Sequence, residues 1–348
     1  RQKVAQVDQH FHMSGKKIYR NRLPQEYIQI RVRLSRGTIE QIDRSQRRTA
    51  RGVVRCQDRR DLRQPVEDVL RGGGWYVRVD KKGRPSSDRV LSGLTHLQAN
   101  DVDVNVLCTV NAANQSHPLD VYRYFRDELG LRHMQFIPIV ERENDTGFQE
   151  GDTVTDRSVD PAAWGAFLTT IFDEWVRRDV GEVFVQMFDA ALASWLEVPS
   201  SMCIFRRTCG DALALEHNGD VYSCDHFVEP AHLLGNIVET HMVELVASPR
   251  QRAFGQAKLD TLPAYCRNCE VRFACNGECP KNRFTLTPDG EVGLNYLCAG
   301  YRNFFNHVDG PMRLMAELLR GGRYADEIMQ MFASVGRNDP CPCGSGRK

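Results

Sequence analysis

From about Val77 onward the apolar and polar positions of the chain follow regular periods. Between Asp88 and Asn100, Val90, Leu91, Leu94 and Leu97 share one helical face. From Asp101 to Val110, Val102, Val104, Val106, Cys108 and Val110 alternate with their neighbours as in a strand. Leu119 to Leu129 predicts a helix stopped by Gly130, and Met134 to Val140 a compact apolar strand. Asp160 as N-cap and Pro161 in the first turn open a further helix, with Trp164, Phe167, Leu168, Ile171 and Trp175 on one stripe. Val183 to Val185 reads as a short strand and Met187 to Leu196 as a helix. Strands alternating with helices predict an α/β fold built of right-handed crossover units on a parallel sheet, with three strands too few to close a barrel. Ligands of such sheets sit at the carboxyl ends of the strands, so the loops after Val110 and Val140 are candidate pocket walls. The stripes are core, and Cys108, on the valine face of its strand, is expected to be a buried apolar thiol.

Residues 1 to 76 show no sustained period. They carry 15 Arg and 3 Lys against 8 acidic residues, a net of +10, which leaves −9 for the rest of a chain whose total is +1. A basic arm for nucleic acid is one reading of this segment. Scarce Lys, absent aromatic interleaving and an acidic remainder weigh against it, and a start produced by a frameshift or a misassembled gene is the other reading, suggested by the abrupt change from this aperiodic stretch to the orderly text that follows. Near-neutral charge argues against a nucleic-acid or membrane partner. With no leader pattern and no apolar run near the ~18 residues of a membrane span, the expectation is a soluble, cytoplasmic protein.

Cysteine changes the picture. Twelve are present, eight of them between Cys203 and Cys298, in a chain too long to need disulfide staples. The spacings are Cys203-x5-Cys209, then Cys224, then Cys266-x2-Cys269-x5-Cys275-x3-Cys279, and a late Cys298. Thiolates select zinc or iron–sulfur clusters, and eight suffice for two four-cysteine sites. Asn218-Gly219, between Ala212 to Leu215 and Val221-Tyr222, signals a hairpin that returns Cys224 towards Cys209. His10 and His12 lack a second pair at zinc-finger spacing, and Cys56 stands alone.

The segment Cys266 to Phe284, preceded by Asp260-Thr261-Leu262-Pro263 and by Tyr222-Ser223-Cys224-Asp225, resembles the SPASM domain of anaerobic sulfatase-maturating enzymes, which are radical S-adenosylmethionine enzymes. The resemblance runs from about Val79 to about Tyr301 and includes Val79-Asp80-Lys81-Lys82-Gly83, Asn105 to Val110, Gln135 to Ile139 and Gln186-Met187-Phe188-Asp189. It implies a partial (β/α) barrel of the radical S-adenosylmethionine type followed by a SPASM domain with two auxiliary [4Fe–4S] clusters. Cys203, Cys209, Cys224 and Cys279 would ligate the first cluster, and Cys266, Cys269, Cys275 and Cys298 the second. The implied activity is oxidation of a Cys or Ser of a sulfatase precursor polypeptide to formylglycine, begun by a deoxyadenosyl radical. Asp225 matches the general base, and a flavodoxin or ferredoxin would supply electrons.

The family also needs a Cys-x3-Cys-x2-Cys loop for a third [4Fe–4S] cluster that binds S-adenosylmethionine, whereas the first 107 residues contain only Cys56. The expectation is that the chain as written binds the auxiliary clusters but does not cleave S-adenosylmethionine. At the other end, Gly336 to Lys348 resembles the SEC-C motif, a zinc-binding tail. Only Cys341 and Cys343 of its four ligands are present, so zinc there would be weak. The expected domains are 1–76 (atypical basic segment), 77–199 (partial barrel), 200–310 (SPASM), 311–335 (helical linker) and 336–348 (SEC-C). Alternatives are a non-catalytic zinc-binding interaction protein, or another peptide-modifying enzyme with a SPASM domain.

Overall fold

A computed structural model describes residues 87–335 together with Pro342 and Cys343. The basic segment 1–76, His10, His12, Cys56 and Cys341 lie outside the described residues. Helix α1 (Ser87–Gln98) leads to strand β1 (Asn105–Val110). Helix α2 (Pro118–Arg123) continues as a wider turn over Tyr124–Glu128, where the Leu129 amide reaches back five residues to the Tyr124 carbonyl. Gly130 then ends it at φ +62°. Strand β2 (His133–Pro138), helix α3 (Pro161–Arg178), strand β3 (Phe184–Val185) and helix α4 (Gln186–Trp195) complete the unit. The expected N-cap is present: Asp160 accepts from the Ala163 amide at 2.8 Å.

The three strands form one parallel sheet in the order β1-β2-β3, with Asn105 opposite His133 and His133 opposite Phe184. Trp164, Phe167, Leu168 and Ile171 of α3 are fully buried against it. Cys108 is 8% exposed, as the valine face predicts.

The cysteine-rich half is built of small pieces. Strands β4 (Ala214–Leu215), β5 (Asp220–Tyr222) and β6 (Leu233–Asn236) form an antiparallel sheet. The hairpin between β4 and β5 differs in detail from a tight Asn-Gly turn. Asn218 keeps negative φ, only Gly219 is left-handed at φ +93°, and the Glu216 and Asp220 backbones close a longer loop. Short helix α5 (Met242–Val246), helix α6 (Pro249–Asp260), single turns α7 (Ala264–Arg267) and α8 (Arg272–Cys275), and the ribbon β7 (Thr285–Leu286) with β8 (Val292–Leu294) follow.

Helix α9 (Cys298–Arg320) and helix α10 (Glu327–Ala333) then return to the parallel-sheet unit. They part at Gly321-Gly322, where Gly322 is left-handed at φ +72°. The expected boundary at 310/311 instead falls inside α9, because Pro311 is accommodated within the helix and Phe304, Phe305, Met312 and Met315 are buried in one continuous core with α3. Residues 311–320 are therefore core rather than linker. Gly165 and Gly300 make the crossing possible: a Cβ on Gly300 would stand 2.2 Å from the Pro161 carbonyl oxygen, and one on Gly165 2.8 Å from the Gly300 Cα. This close approach seats Cys298, the first residue of α9, against the sheet unit. Among the described residues no helix is long and apolar enough to cross a membrane.

Candidate metal centre

Four thiols converge on one cavity. Cys266, Cys269, Cys275 and Cys298 line it together with Tyr301 and Arg302. Their mutual charge repulsion links Cys266 to Cys269, Cys275 to Cys266 and Cys298, and Cys298 to both Cys266 and Cys269. The other four form a second neighbourhood, in which Cys203 acts on Cys209 and on Cys279, and Cys279 acts on Cys224. Burial is the main influence on all eight and raises every one, Cys275 and Cys279 to about 12 and Cys298 to about 11. Such thiols hold their protons until a metal replaces them.

Cys279 leaves its sequence neighbours for the other group, and the backbone shows how. Asn276, Gly277 and Glu278 are all left-handed, at φ +47°, +71° and +52°. Each non-glycine residue in that region costs about 1–2 kcal/mol, so side chains must hold the arc. The Asn276 amide donates to the Phe205 carbonyl at 2.8 Å, and Glu278 accepts from Asn282 at 3.0 Å and Asn295 at 2.5 Å. Three consecutive left-handed residues reverse the chain between Cys275 and Cys279, so the two sulfurs serve different groups.

Helix α6 clamps the group around Cys279. Gln251, Gly255 and Lys258 recur at positions i, i+4 and i+7 on one face. The Gln251 amide donates to the Gly210 carbonyl at 2.7 Å and the Ser223 carbonyl at 3.0 Å, tying the Cys209 loop to the strand end that carries Cys224. Gly255 packs directly under Cys209, where a Cβ would approach its carbonyl oxygen to 2.2 Å. Lys258 donates to the carbonyls of Cys203 at 2.8 Å and Ile204 at 2.7 Å. Arg283 donates to the backbone of Gly277, Lys258, Asn276 and Glu278. Both cations are largely buried, and burial lowers both while the neighbouring thiols, once ionised, push them back up. Among the described residues neither pairs with a carboxylate; every hydrogen bond they make ends on a neutral carbonyl. The buried Glu278 carboxylate acts on both without forming an ion pair, so one nearby carboxylate faces two buried cations, and buried charge compensated only in part is costly. A thiolate-held cluster of net negative charge supplies what the protein omits, so the donor set fits such a group.

Asp225 lies beside this group. Its Oδ1 accepts from the Cys224 thiol at 3.2 Å and stands 3.2 Å from the His226 Nδ1. Cys224, Asp225 and His226 present donor atoms within 4.8 Å of one another. Burial, with the charge of Lys281, pushes His226 down to about 4, so it is neutral and can donate to the carboxylate. The carboxyl ends of the parallel strands face this side. Arg142, beyond β2, donates to the Lys281 carbonyl at 2.8 Å and lies 4.3 Å over the Phe284 ring, while the Gln149 amide reaches Glu229. Beyond β3, the Gln186 Oε1 is buried without a hydrogen bond. Asp189, in the first turn of α4, is exposed on this side. His226, Gln186 and Asp189 were not singled out from the sequence as site residues. Adjacency to Asp225 was a signal for the first, and the strand read over Val183 to Val185, followed by the family-like stretch Gln186 to Asp189, was a signal for the other two.

A model of an iron–sulfur cluster-binding domain, SPASM, matches residues 203–270, and the SEC-C motif matches 337–348. The serine-type anaerobic sulfatase-maturating enzyme of Bacteroides thetaiotaomicron is 45% identical over 262 residues, 73% of this chain and 63% of that protein. The chain is a relative of the anaerobic sulfatase-maturating enzymes. Another serine-type enzyme, from Klebsiella pneumoniae, is 32% identical over 71% of this chain and 58% of its own length. The cysteine-type enzyme of Clostridium perfringens is 29% identical over 60% and 54%. The chain thus spans about three fifths of the serine-type relatives. Among solved structures, native anSMEcpe with bound AdoMet and Cp18Cys peptide is similar at TM-score 0.61 and 26% identity, covering 69% of this chain and 65% of that one. The mixed α/β unit with its SPASM domain is thereby the fold expected from the sequence.

Proposed function

We propose that this chain is the substrate-facing, electron-handling part of a radical S-adenosylmethionine oxidoreductase that converts a Cys or Ser of a sulfatase precursor to formylglycine. The single observation that carries the reading is the crossed membership of the two thiol groups, with Cys279 joined to Cys203, Cys209 and Cys224 rather than to its sequence neighbours. Generic zinc ribbons have no need of that crossing. Cys203, Cys209, Cys224 and Cys279 hold one [4Fe–4S] cluster, and Cys266, Cys269, Cys275 and Cys298 the other. When bound, such clusters supply one-electron carriers. Asp225 takes the thiol or hydroxyl proton of the target side chain, and His226 holds its carboxylate in place. Cys224, as a ligand thiolate, has no proton left to donate to Asp225.

The loops beyond β1, β2 and β3 form the wall against which the peptide lies, with the parallel-sheet unit, joined by α9, as the partial barrel and the cysteine-rich pieces from about residue 200 to the start of α9 as the SPASM part. A flavodoxin- or ferredoxin-like protein exchanges electrons with it in the cytoplasm. No Cys-x3-Cys-x2-Cys occurs in the 348 residues, so cleavage of S-adenosylmethionine is not assigned to this chain.

The test is the iron, sulfide and zinc content of the chain purified without oxygen, with electron paramagnetic resonance of the reduced sample. About eight irons, from two four-iron clusters, is the expected result. About two zincs without iron would replace this reading with a structural zinc protein.

A further inference from the structure

Two buried cations serve the thiol groups unequally. Arg283 acts on Cys266 and Cys275 of one group and on Cys279 of the other, so it is common to both. Lys258 acts on Cys203, Cys209 and Cys279, all of one group. Its side chain belongs to a residue only 1% exposed, and its ammonium meets two backbone carbonyls and no carboxylate among the described residues. The group around Cys298 has a cation of its own in Arg302, but that guanidinium is 45% exposed and paired with Glu270 at 2.8 Å, which cancels most of its field. Glu278 acts on both groups, on Cys203 and Cys279 of one and on Cys275 of the other, while Asp225 acts on Cys203 and Cys224, so Lys258 opposes a carboxylate of its own group.

We propose that Lys258 is the dedicated counter-cation of the Cys203, Cys209, Cys224 and Cys279 group, and that it sets the reduction potential of that centre above that of its neighbour. The inference rests on the reading of both groups as iron–sulfur sites. One-electron reduction adds one negative charge to a centre, and an unpaired ammonium enclosed with it in low dielectric stabilises that charge. The other centre, whose nearby cation is neutralised at the surface, gains no equivalent help. The centre beside Asp225 is then the easier of the two to reduce, and an electron leaving a substrate at Asp225 enters the first group before the second. Lys258 acts through charge and position and touches no reacting atom.

The test is an anaerobic dithionite titration of the iron-loaded 348-residue chain, followed by electron paramagnetic resonance, on the parent, Lys258→Gln and Lys258→Arg. Gln keeps an N–H donor for the two carbonyls without the charge; Arg keeps the charge. In Lys258→Gln one potential falls by at least a tenfold change in the reduction equilibrium, about 59 mV for one electron. The other stays, and Lys258→Arg returns the first towards the parent value. Unchanged potentials at full iron content overturn the proposal, as do equal shifts of both centres or equal effects of Gln and Arg. If Lys258→Gln loses half its iron while Lys258→Arg retains it, charge is needed to hold the centre and the proposal stands. If both variants lose iron, shape rather than charge is at work and the proposal fails. A parent chain with zinc and no iron removes the underlying reading instead, before any variant is compared.

Discussion

Burial pushes the Cys108 thiol up to about 12 from an ordinary value of 9, with no charged neighbour involved. An acid raised on folding contributes stability that is fully present below its unfolded value and is lost as pH rises through the folded one. The folded chain should therefore leave Cys108 unlabelled by iodoacetamide at pH 9, and its thermal midpoint should gain at alkaline pH, between about 9 and 12, when Cys108 is replaced by Val. Labelling of Cys108 as fast as of a small thiol would contradict this. Asp225 tests the difference between a base and a ligand. Its carboxylate, Cys224 and His226 could together hold a lone metal ion. If Asp225 is instead the proton acceptor, Asp225→Asn keeps the full iron content of the parent, and loss of metal in that variant would favour the three-donor site.

At the scale of elements, the closest backbone crossing is the one between α3 and α9. A methyl group on Gly300 meets the Pro161 carbonyl at 2.2 Å, a contact that only movement of a whole helix relieves. Gly300→Ala should lower stability by about 1–3 kcal/mol, read as a fall in the thermal midpoint of the metal-free chain, and should displace Cys298 from its group. The same calorimetry on Gly93→Ala, where nothing lies within 4 Å, should show no loss. Periodicity foretold α3, α4 and the three parallel strands, because each buries apolar side chains, and it foretold α1 as well, although Val90 of that face is exposed and only Leu94 packs against the core. It was silent on α6, Pro249–Asp260, whose few apolar residues, Phe254 and Leu259 among them, make no stripe and whose buried residues are Gln251, Gly255 and Lys258. That helix is selected for hydrogen bonds to the cysteine loops, which no hydrophobic pattern records. The Asn-Gly hairpin was readable as a turn, but its loop length depends on a pairing register that two residues do not specify.

At the scale of the molecule, the grouping of thiols is the quantity to test. Cys224→Ser and Cys279→Ser lie far apart in sequence, yet each should remove about half of the iron and leave the same residual resonance spectrum. Cys275→Ser, four residues from Cys279, should leave the other spectrum. If Cys275→Ser and Cys279→Ser instead give identical spectra, the crossed grouping is wrong. The spacing of the cysteines announced a metal-binding unit, and the family resemblance supplied the grouping. The physical cause of the crossing, three successive left-handed residues held by Asn276 and Glu278, became visible only in three dimensions.

The crossing also imposes a calendar on the chain as it is made. If the two groups hold the clusters proposed above, synthesis delivers Cys203, Cys209 and Cys224 first, and they wait, reduced and without their fourth ligand, while Cys266, Cys269 and Cys275 emerge. Cys279 then completes the older set before Cys298 can complete the younger one. During that interval six thiols of two unfinished sets stand side by side on a nascent polypeptide. Whatever machinery delivers iron meets a moment when a wrong foursome is within reach, and the left-handed arc at Asn276 to Glu278 is the feature that sends the seventh cysteine to the right one.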